Sequence, residues 1–266
     1  MLKYLLMIML PMNAFAFGNL FIIGGGTQSD ALVENFLDLC GKEKSILVVA
    51  KASSFESEVI EETSKRFNGL GASKVKGYRC DTSANDCLDQ LDGINCVYFS
   101  GGDQKKLTAH FSATNSLKKL HELFESGGTL AGTSAGAAIM SEVMLSGNIV
   151  DDASSFSRIA SHHVEDISGF GFLKHFVIDQ HFIKRKRQNR LLSKVLEVPA
   201  LVGVGIDEST AIVFKNSTTD FTVVGAASVV VYDARGAKNL STDQSHNFNA
   251  TDIKLSILTS GSKFKF

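Results

Sequence analysis

The sequence predicts an α/β fold: a single domain with a mostly parallel central sheet flanked by helices, a β-rich C-terminal extension, and a serine on a nucleophile elbow. Three observations carry this. Short apolar runs alternate with amphipathic helical stretches through the first half of the chain, the pattern of a parallel sheet covered on both faces. The last third carries short β-rich runs separated by polar turns. Between them, Gly132-Thr133-Ser134-Ala135-Gly136 falls where an apolar strand gives way to a helix, the setting of a Gly-x-Ser-x-Gly elbow.

Residues 1–16 read as a signal peptide rather than as part of the fold. Lys3 supplies a positive start, Leu5–Pro11 an apolar stretch too short to span a bilayer, and Ala14-Phe15-Ala16 a small-residue cleavage site. The expected mature domain is 17–266, secreted or periplasmic. Phe21-Ile22-Ile23 is then a buried first strand ending at Gly24-Gly25-Gly26, followed by a helix over Ser29–Leu39 and a strand over Ile46–Ala50. A helix over Glu56–Phe67 and strands over Lys74–Tyr78 and Cys96–Ser100 come next, the latter closing on Gly101-Gly102. In Leu117–Glu125 the residues Leu117, Leu120, Leu123 and Phe124 share one helical face, and that helix leads into the strand before Ser134. Beyond it, Leu201–Ile206, Ala211–Phe214, Phe221–Val224, Val229–Tyr232 and Leu255–Leu258 read as an antiparallel or mixed extension of the same sheet.

Composition narrows the function classes. With 266 residues, 44% hydrophobic content and a net charge of −1, the chain can bury a sizeable core. It lacks the basic excess of a general nucleic-acid or membrane-surface binder. Cys40, Cys80, Cys87 and Cys96 are an even number in an exported protein, so disulfides are expected; Cys80 with Cys87 is the preferred pair, and the other pairings stay open. No cysteine or histidine spacing suits zinc, and the expected chemistry needs neither metal nor organic cofactor.

A serine becomes a nucleophile only with a base in hydrogen-bond reach and donors for the oxyanion. Among seven histidines, His110, His121 and His246 read as surface residues, and His162, His163 and His175 as loop or helix-end residues. His181 follows Phe176-Val177-Ile178-Asp179-Gln180, which puts it at a strand's C-terminal end, expected at the same sheet edge as Ser134. The orienting carboxylate is sought at the end of Gly203–Ile206, as Asp207 or Glu208, with Asp151 or Asp152 as the alternative. The Gly101-Gly102-Asp103-Gln104 turn offers the Gly102 amide, together with that of Ala135, as an oxyanion hole. The run Lys184-Arg185-Lys186-Arg187-Gln188-Asn189-Arg190 places forked guanidiniums beside the expected base, suited to substrate carboxylates.

Five motifs in order, Ile22-Ile23-Gly24-Gly25-Gly26, Phe99-Ser100-Gly101-Gly102-Asp103-Gln104, Gly132-Thr133-Ser134-Ala135-Gly136-Ala137-Ala138, Asp179-Gln180-His181-Phe182 and Gly205-Ile206-Asp207-Glu208-Ser209-Thr210-Ala211, make the chain resemble the cyanophycinases from about residue 20 onward. These belong to a serine peptidase family that also holds the aspartyl dipeptidases, with a fold similar to class I glutamine amidotransferases. The resemblance implies Ser134 as nucleophile, His181 as general base and Glu208 as its orienting acid. It also implies a substrate pocket lined by Gln104, Asp179, Gln180, Arg185, Arg187 and Arg190, and hydrolysis of cyanophycin, an arginine-bearing polyaspartate, to β-aspartyl-arginine dipeptides. Relatives suggest a homodimer. This sequence departs from the pattern at Asp103, where asparagine is common, and in a lysine-rich run after His181 that lacks a glycine between its first two arginines. The rival readings are a dipeptidase of the same family acting on small aspartyl peptides, and a non-catalytic binder of acidic polymers.

Overall fold

Successive residues of the first strand face opposite sides of the sheet, and two hydrophobic cores result. Leu20 and Ile22 join one cluster with Leu47, Val49, Val97, Phe99 and Leu130, while Phe21 and Ile23 join the other with Phe36, Ile46, Val48, Phe67 and Tyr98. A strand buried on both faces in this way is the inner strand of a sheet with helices above and below it. The computed structural model describes residues 17–80, 86–114, 116–149 and 157–266; the expected signal peptide, its cleavage site after Ala16, and Asp151 and Asp152 lie outside them.

In chain order the first half runs β1 (Asn19–Ile23), α1 (Asp30–Leu39), β2 (Ser45–Val49), α2 (Glu56–Gly69), β3 (Lys74–Gly77), α3 (Asp86–Asp89), β4 (Cys96–Phe99), α4 (Gln104–Ala113), α5 (Ser116–Glu125), β5 (Thr129–Thr133) and α6 (Ala135–Ala138). The second half runs β6 (Val143–Ile149), β7 (Val164–Ser168), β8 (Phe176–Gln180), α7 (Gln188–Glu197), β9 (Val202–Ile206), β10 (Thr210–Lys215), β11 (Phe221–Gly225), β12 (Val229–Asp233), β13 (Lys238–Thr242), β14 (Phe248–Thr251), β15 (Lys254–Leu258) and β16 (Lys263–Phe264). Ser29 caps α1 by accepting from Leu32 N, and Asp103 caps α4 by accepting from Lys105 N, the usual role of short oxygen-bearing side chains at a helix start.

The main sheet has eight strands in the order β16-β11-β10-β1-β5-β4-β2-β3. Its β1-β5-β4-β2-β3 portion is parallel, and β10, β11 and β16 extend it antiparallel. The expected extension therefore forms from 211–214 and 221–224, but the remaining C-terminal runs do not join it. They make a second, four-stranded sheet, β15-β12-β9-β8, whose β8 and β9 are parallel. The cause is α7, which lies between β8 and β9 in the chain and packs on them, so that the unit closes as its own βαβ crossover. Gly203 admits the helix: a Cβ there would stand 2.5 Å from Val195 Cγ2.

Two disulfides tie the parallel half, Cys40–Cys96 and Cys80–Cys87, with Cα atoms 5.6 and 5.1 Å apart. The first joins the end of α1 to the start of β4.

Candidate active site

Ser134 stands at the C-terminal end of β5, at φ 54° and ψ −111°, a conformation that L-residues adopt only where surrounding structure imposes it. The flanking glycines impose it by allowing the helix to fold back on the strand. A Cβ on Gly132 would lie 2.0 Å from Gly136 O, and one on Gly136 2.3 Å from Phe99 O. Ser134 N donates to Ile23 O, and Ala137 N and Ala138 N donate to Ser134 O, so the backbone is held on both sides while the hydroxyl faces outward.

His181 is the residue after β8, also at positive φ (48°), and so belongs to the second sheet. The expectation that it shares a sheet edge with Ser134 is corrected: the two residues meet where the C-terminal ends of two different sheets converge. Its neighbour Phe182 fixes the turn, fully buried and seated on Gly205, where a Cβ would come within 2.4 Å of the ring. His181 N donates to Gly24 O and Arg187 N to Phe182 O. The imidazole Nε2 lies 2.9 Å from Ser134 Oγ, and Nδ1 lies 2.7 Å from Glu208 Oε1. With Nδ1 donating to the carboxylate, Nε2 is left to accept from the hydroxyl.

Of the two acids after β9, Glu208 faces the imidazole. Asp207 turns away and accepts from Ile183 N and Lys184 N, fastening the turn that carries the basic run. Burial holds the His181 pKa below its ordinary value, opposed by the Glu208 hydrogen bond and reinforced by the nearby Arg185 and Arg187 charges. The hydrogen bond from His181 in turn holds Glu208 below the usual carboxylate range.

The glycine loop after β1 takes a part that its sequence alone did not indicate. A Cβ on Gly25 would meet the His181 ring at 2.4 Å, and one on Gly26 would meet Glu208 at 2.7 Å. Ser209 N donates to Gly25 O and Ser209 Oγ to Thr27 O, clasping this loop to the chain just beyond Glu208. The signal was present as three consecutive glycines after a buried strand, but nothing in the pattern said what approached them.

The Gly101-Gly102 turn abuts the serine: a Cβ on Gly101 would stand 3.8 Å from Ser134 Oγ. Gly102 lies at φ 139°, and any side chain there would strike Ala52 O. Neither the Gly102 nor the Ala135 amide donates to an acceptor among the described residues.

The pocket residues separate into two groups. Arg185 is exposed on the turn after His181. Arg187 is half-buried, donating to Gln180 O and Gln180 Oε1, and burial, with Arg190 beside it, pushes it down to about 10. Asp179 and Arg190, expected as pocket-lining residues, are each 1% exposed. They pair with one another, Arg190 Nε lying 2.7 Å from Asp179 Oδ2, beneath the turn rather than on its surface. Gln104 is also buried, its Nε2 donating to Leu145 O and Ser146 O. A surface placement fails for His110, which packs against the sheet beside Tyr78 with Nε2 3.2 Å from its hydroxyl. Among the described residues no group of three His, Cys, Asp or Glu side chains is placed to hold a metal, and no helix is long and apolar enough to cross a membrane.

The model of Peptidase family S51 matches residues 20–222. A cyanophycinase from Synechococcus elongatus is 29% identical over 256 residues, covering 92% of this chain and 78% of that protein. One from Trichormus variabilis is 29% identical over 259 residues, covering 91% and 84%. The solved structure of a peptidase from an acI-B1 Actinobacterium shares the fold at a TM-score of 0.70 and 22% identity, over 95% of this chain and 98% of that one. The family match spans both glycine turns, the serine elbow, His181 and Glu208, and the chain therefore belongs to peptidase family S51, as a serine-type peptidase.

Proposed function

We propose that this peptidase is exported and hydrolyses cyanophycin to β-aspartyl-arginine dipeptides through an acyl-enzyme on Ser134. The observation that carries the chemistry is the continuous Ser134–His181–Glu208 hydrogen-bond chain; the substrate comes from the cyanophycinases to which the chain is similar along most of its length.

In this reading Ser134 Oγ attacks the carbonyl carbon of an aspartyl peptide bond while His181 Nε2 takes its proton. Glu208 holds the imidazole in the tautomer that can accept that proton and stabilises the charge that results. The amides of Gly102 and Ala135, uncommitted to other acceptors among the described residues, receive the oxyanion. As the intermediate collapses the C–N bond breaks, and His181 returns its proton to the leaving amine. Water, deprotonated by His181, then cleaves the ester, releasing the product carboxylic acid and restoring Ser134.

Arg185 and Arg187 are the basic groups on the site's rim that suit substrate carboxylates, with Gln180 fixing Arg187. Asp179 and Arg190 support that rim from below. Export is favoured by the pattern of residues 1–16 and by the two disulfides, which suit an oxidising compartment. A homodimer is part of the proposal and is checked by sedimentation. Incubation with purified cyanophycin, followed by mass analysis of the soluble products, tests the function: β-aspartyl-arginine is expected. Turnover of short aspartyl peptides with the polymer left intact would overturn the substrate assignment.

A further inference from the structure

The loop after β2 lies along the sheet edge that carries Ser134. In the strand order β1-β5-β4-β2, β1, whose glycine loop backs His181, is on one side of β5, and β4 and then β2 are on the other. These strands are parallel, and Phe99 pairs with both Gly132 and Val49. One residue further, Thr133, Ser100 and Ala50 are therefore level, and the β2 loop starts about 10 Å, two strand spacings, from the serine elbow. The same loop touches the glycine turn beside Ser134. Asp103 N donates to Ala52 O at 3.0 Å, and a Cβ on Gly102 would lie 2.1 Å from that oxygen.

Two side chains on this stretch of edge sit where helix stability disfavours them, and such local conflicts gather at functional sites. Phe55 is the N-cap of α2 and makes no side-chain cap bond, at a position that favours serine, threonine, aspartate or asparagine. At 69% exposed, it is the most exposed large hydrophobic side chain among the described residues. The loop holds it in place: Ser53 N donates to Ala50 O, Phe55 N to Ser53 Oγ and Val59 N to Phe55 O. Lys106 is exposed in the first turn of α4, where the helix dipole opposes a cation. Its Nζ lies 3.4 Å from Oγ of Ser54, the residue before Phe55, and no acid among the described residues pairs with it. The acids nearest in sequence are engaged, Glu56 with Lys51 and Asp103 with Lys105 N. An ammonium without a counter-charge and an exposed aromatic ring on one short loop suit a ligand that carries both a carboxylate and a guanidinium.

We propose that Phe55 and Lys106 form a second subsite, which binds a substrate unit two or three along the chain from the scissile bond. Lys106 takes the carboxylate of that unit, and the ring of Phe55 takes the flat face of its guanidinium. This rests on the reading of the substrate as an arginine-bearing polyaspartate, in which every unit carries both groups. About 10 Å corresponds to three residues of extended chain, so a unit at that separation reaches the loop while another occupies Ser134. The subsite selects chains over single dipeptides.

The test is binding to the inactive Ser134→Ala protein, measured by calorimetry with β-aspartyl-arginine and with a purified eight-unit cyanophycin oligomer. Adding Phe55→Leu and Lys106→Gln together should weaken oligomer binding about 4- to 25-fold, the product of two exposed contacts worth about 2- to 5-fold each. The single dipeptide should keep its affinity within about twofold. Adding Phe55→Trp alone, which retains an aromatic face, should preserve oligomer binding, whereas Phe55→Leu alone should not. Oligomer affinity unmoved by the double change, or an equal loss for the single dipeptide, would overturn the inference. Cyanophycin turnover by the unaltered enzyme reads the substrate assignment separately. Turnover with an oligomer affinity that the double change leaves unmoved overturns the subsite alone; absence of both turnover and oligomer binding overturns the subsite and the polymer assignment together.

Discussion

Gly25 lies flat against the imidazole of His181, so closely that a β-carbon at residue 25 would come within 2.4 Å of the ring. The first strand's glycine loop is thus the back wall of the site, and it sets how far the imidazole can retreat from Ser134. Gly25→Ala is expected to push the ring out of line, and misplacement by about 1 Å can reduce turnover roughly 10²-fold. Its φ of 107° adds backbone strain. Steady-state kinetics beside a thermal melt checks this: kcat/KM should fall far more than the modest change in Tm would explain.

The pH dependence has a definite sign. Because burial lowers the His181 pKa, the base stays unprotonated below the ordinary histidine value, and the acid limb of kcat/KM should lie below about pH 6.5. The same shift means that the unfolded chain binds this proton more readily than the native one, so the contribution to stability is lost on acidification from about pH 6.5 through the folded pKa. Arg185→Ala removes a positive neighbour and should move the acid limb upward. Glu208→Gln removes a group that favours the charged imidazole; the limb should move downward while kcat falls by roughly 10³- to 10⁴-fold.

Asp179 and Arg190 should behave as structural residues. Asp179→Asn takes the Asp179 charge away from the buried Arg190 guanidinium, and breaking such a pair costs about 3–5 kcal/mol. Denaturant unfolding is expected to show that loss. A large rise in KM with unchanged stability would instead place the pair in contact with substrate.

The two disulfides should differ in weight. Cys40–Cys96 closes 56 residues and Cys80–Cys87 only 7, so loop-closure entropy gives about 4 and about 2 kcal/mol respectively. Unfolding of the Cys40→Ser/Cys96→Ser and Cys80→Ser/Cys87→Ser proteins compares them, the former being the less stable.

The parallel half of the fold was legible because its strands are apolar on both faces and its helices apolar on one, a purely local pattern. The second sheet was not, because whether β9 joins β10 or β8 is decided by a crossover helix whose start reads as a run of charge. Arg190 was expected to line the substrate pocket, and its burial was not legible because its partner Asp179 lies on another element, and pairing makes burial possible. The burial of His110 was not legible either, since the Tyr78 hydroxyl beside it lies on a distant part of the chain. The elbow was legible because Gly132 and Gly136 flank Ser134 at the end of an apolar strand, whereas Glu208 was set apart from Asp207 only by the family resemblance, since two adjacent acids at a strand end look alike in sequence. The β6–β7 ribbon was not legible, because its register shifts between Leu145 and Ile149 and breaks the two-residue alternation.

The most direct test is the rate of cyanophycin hydrolysis by Ser134→Ala, with circular dichroism confirming the fold. A loss of at least about 10⁴-fold is expected, with dipeptide binding retained. Turnover within tenfold of the unaltered enzyme would contradict it, since the imidazole of His181 would then have no hydroxyl to activate.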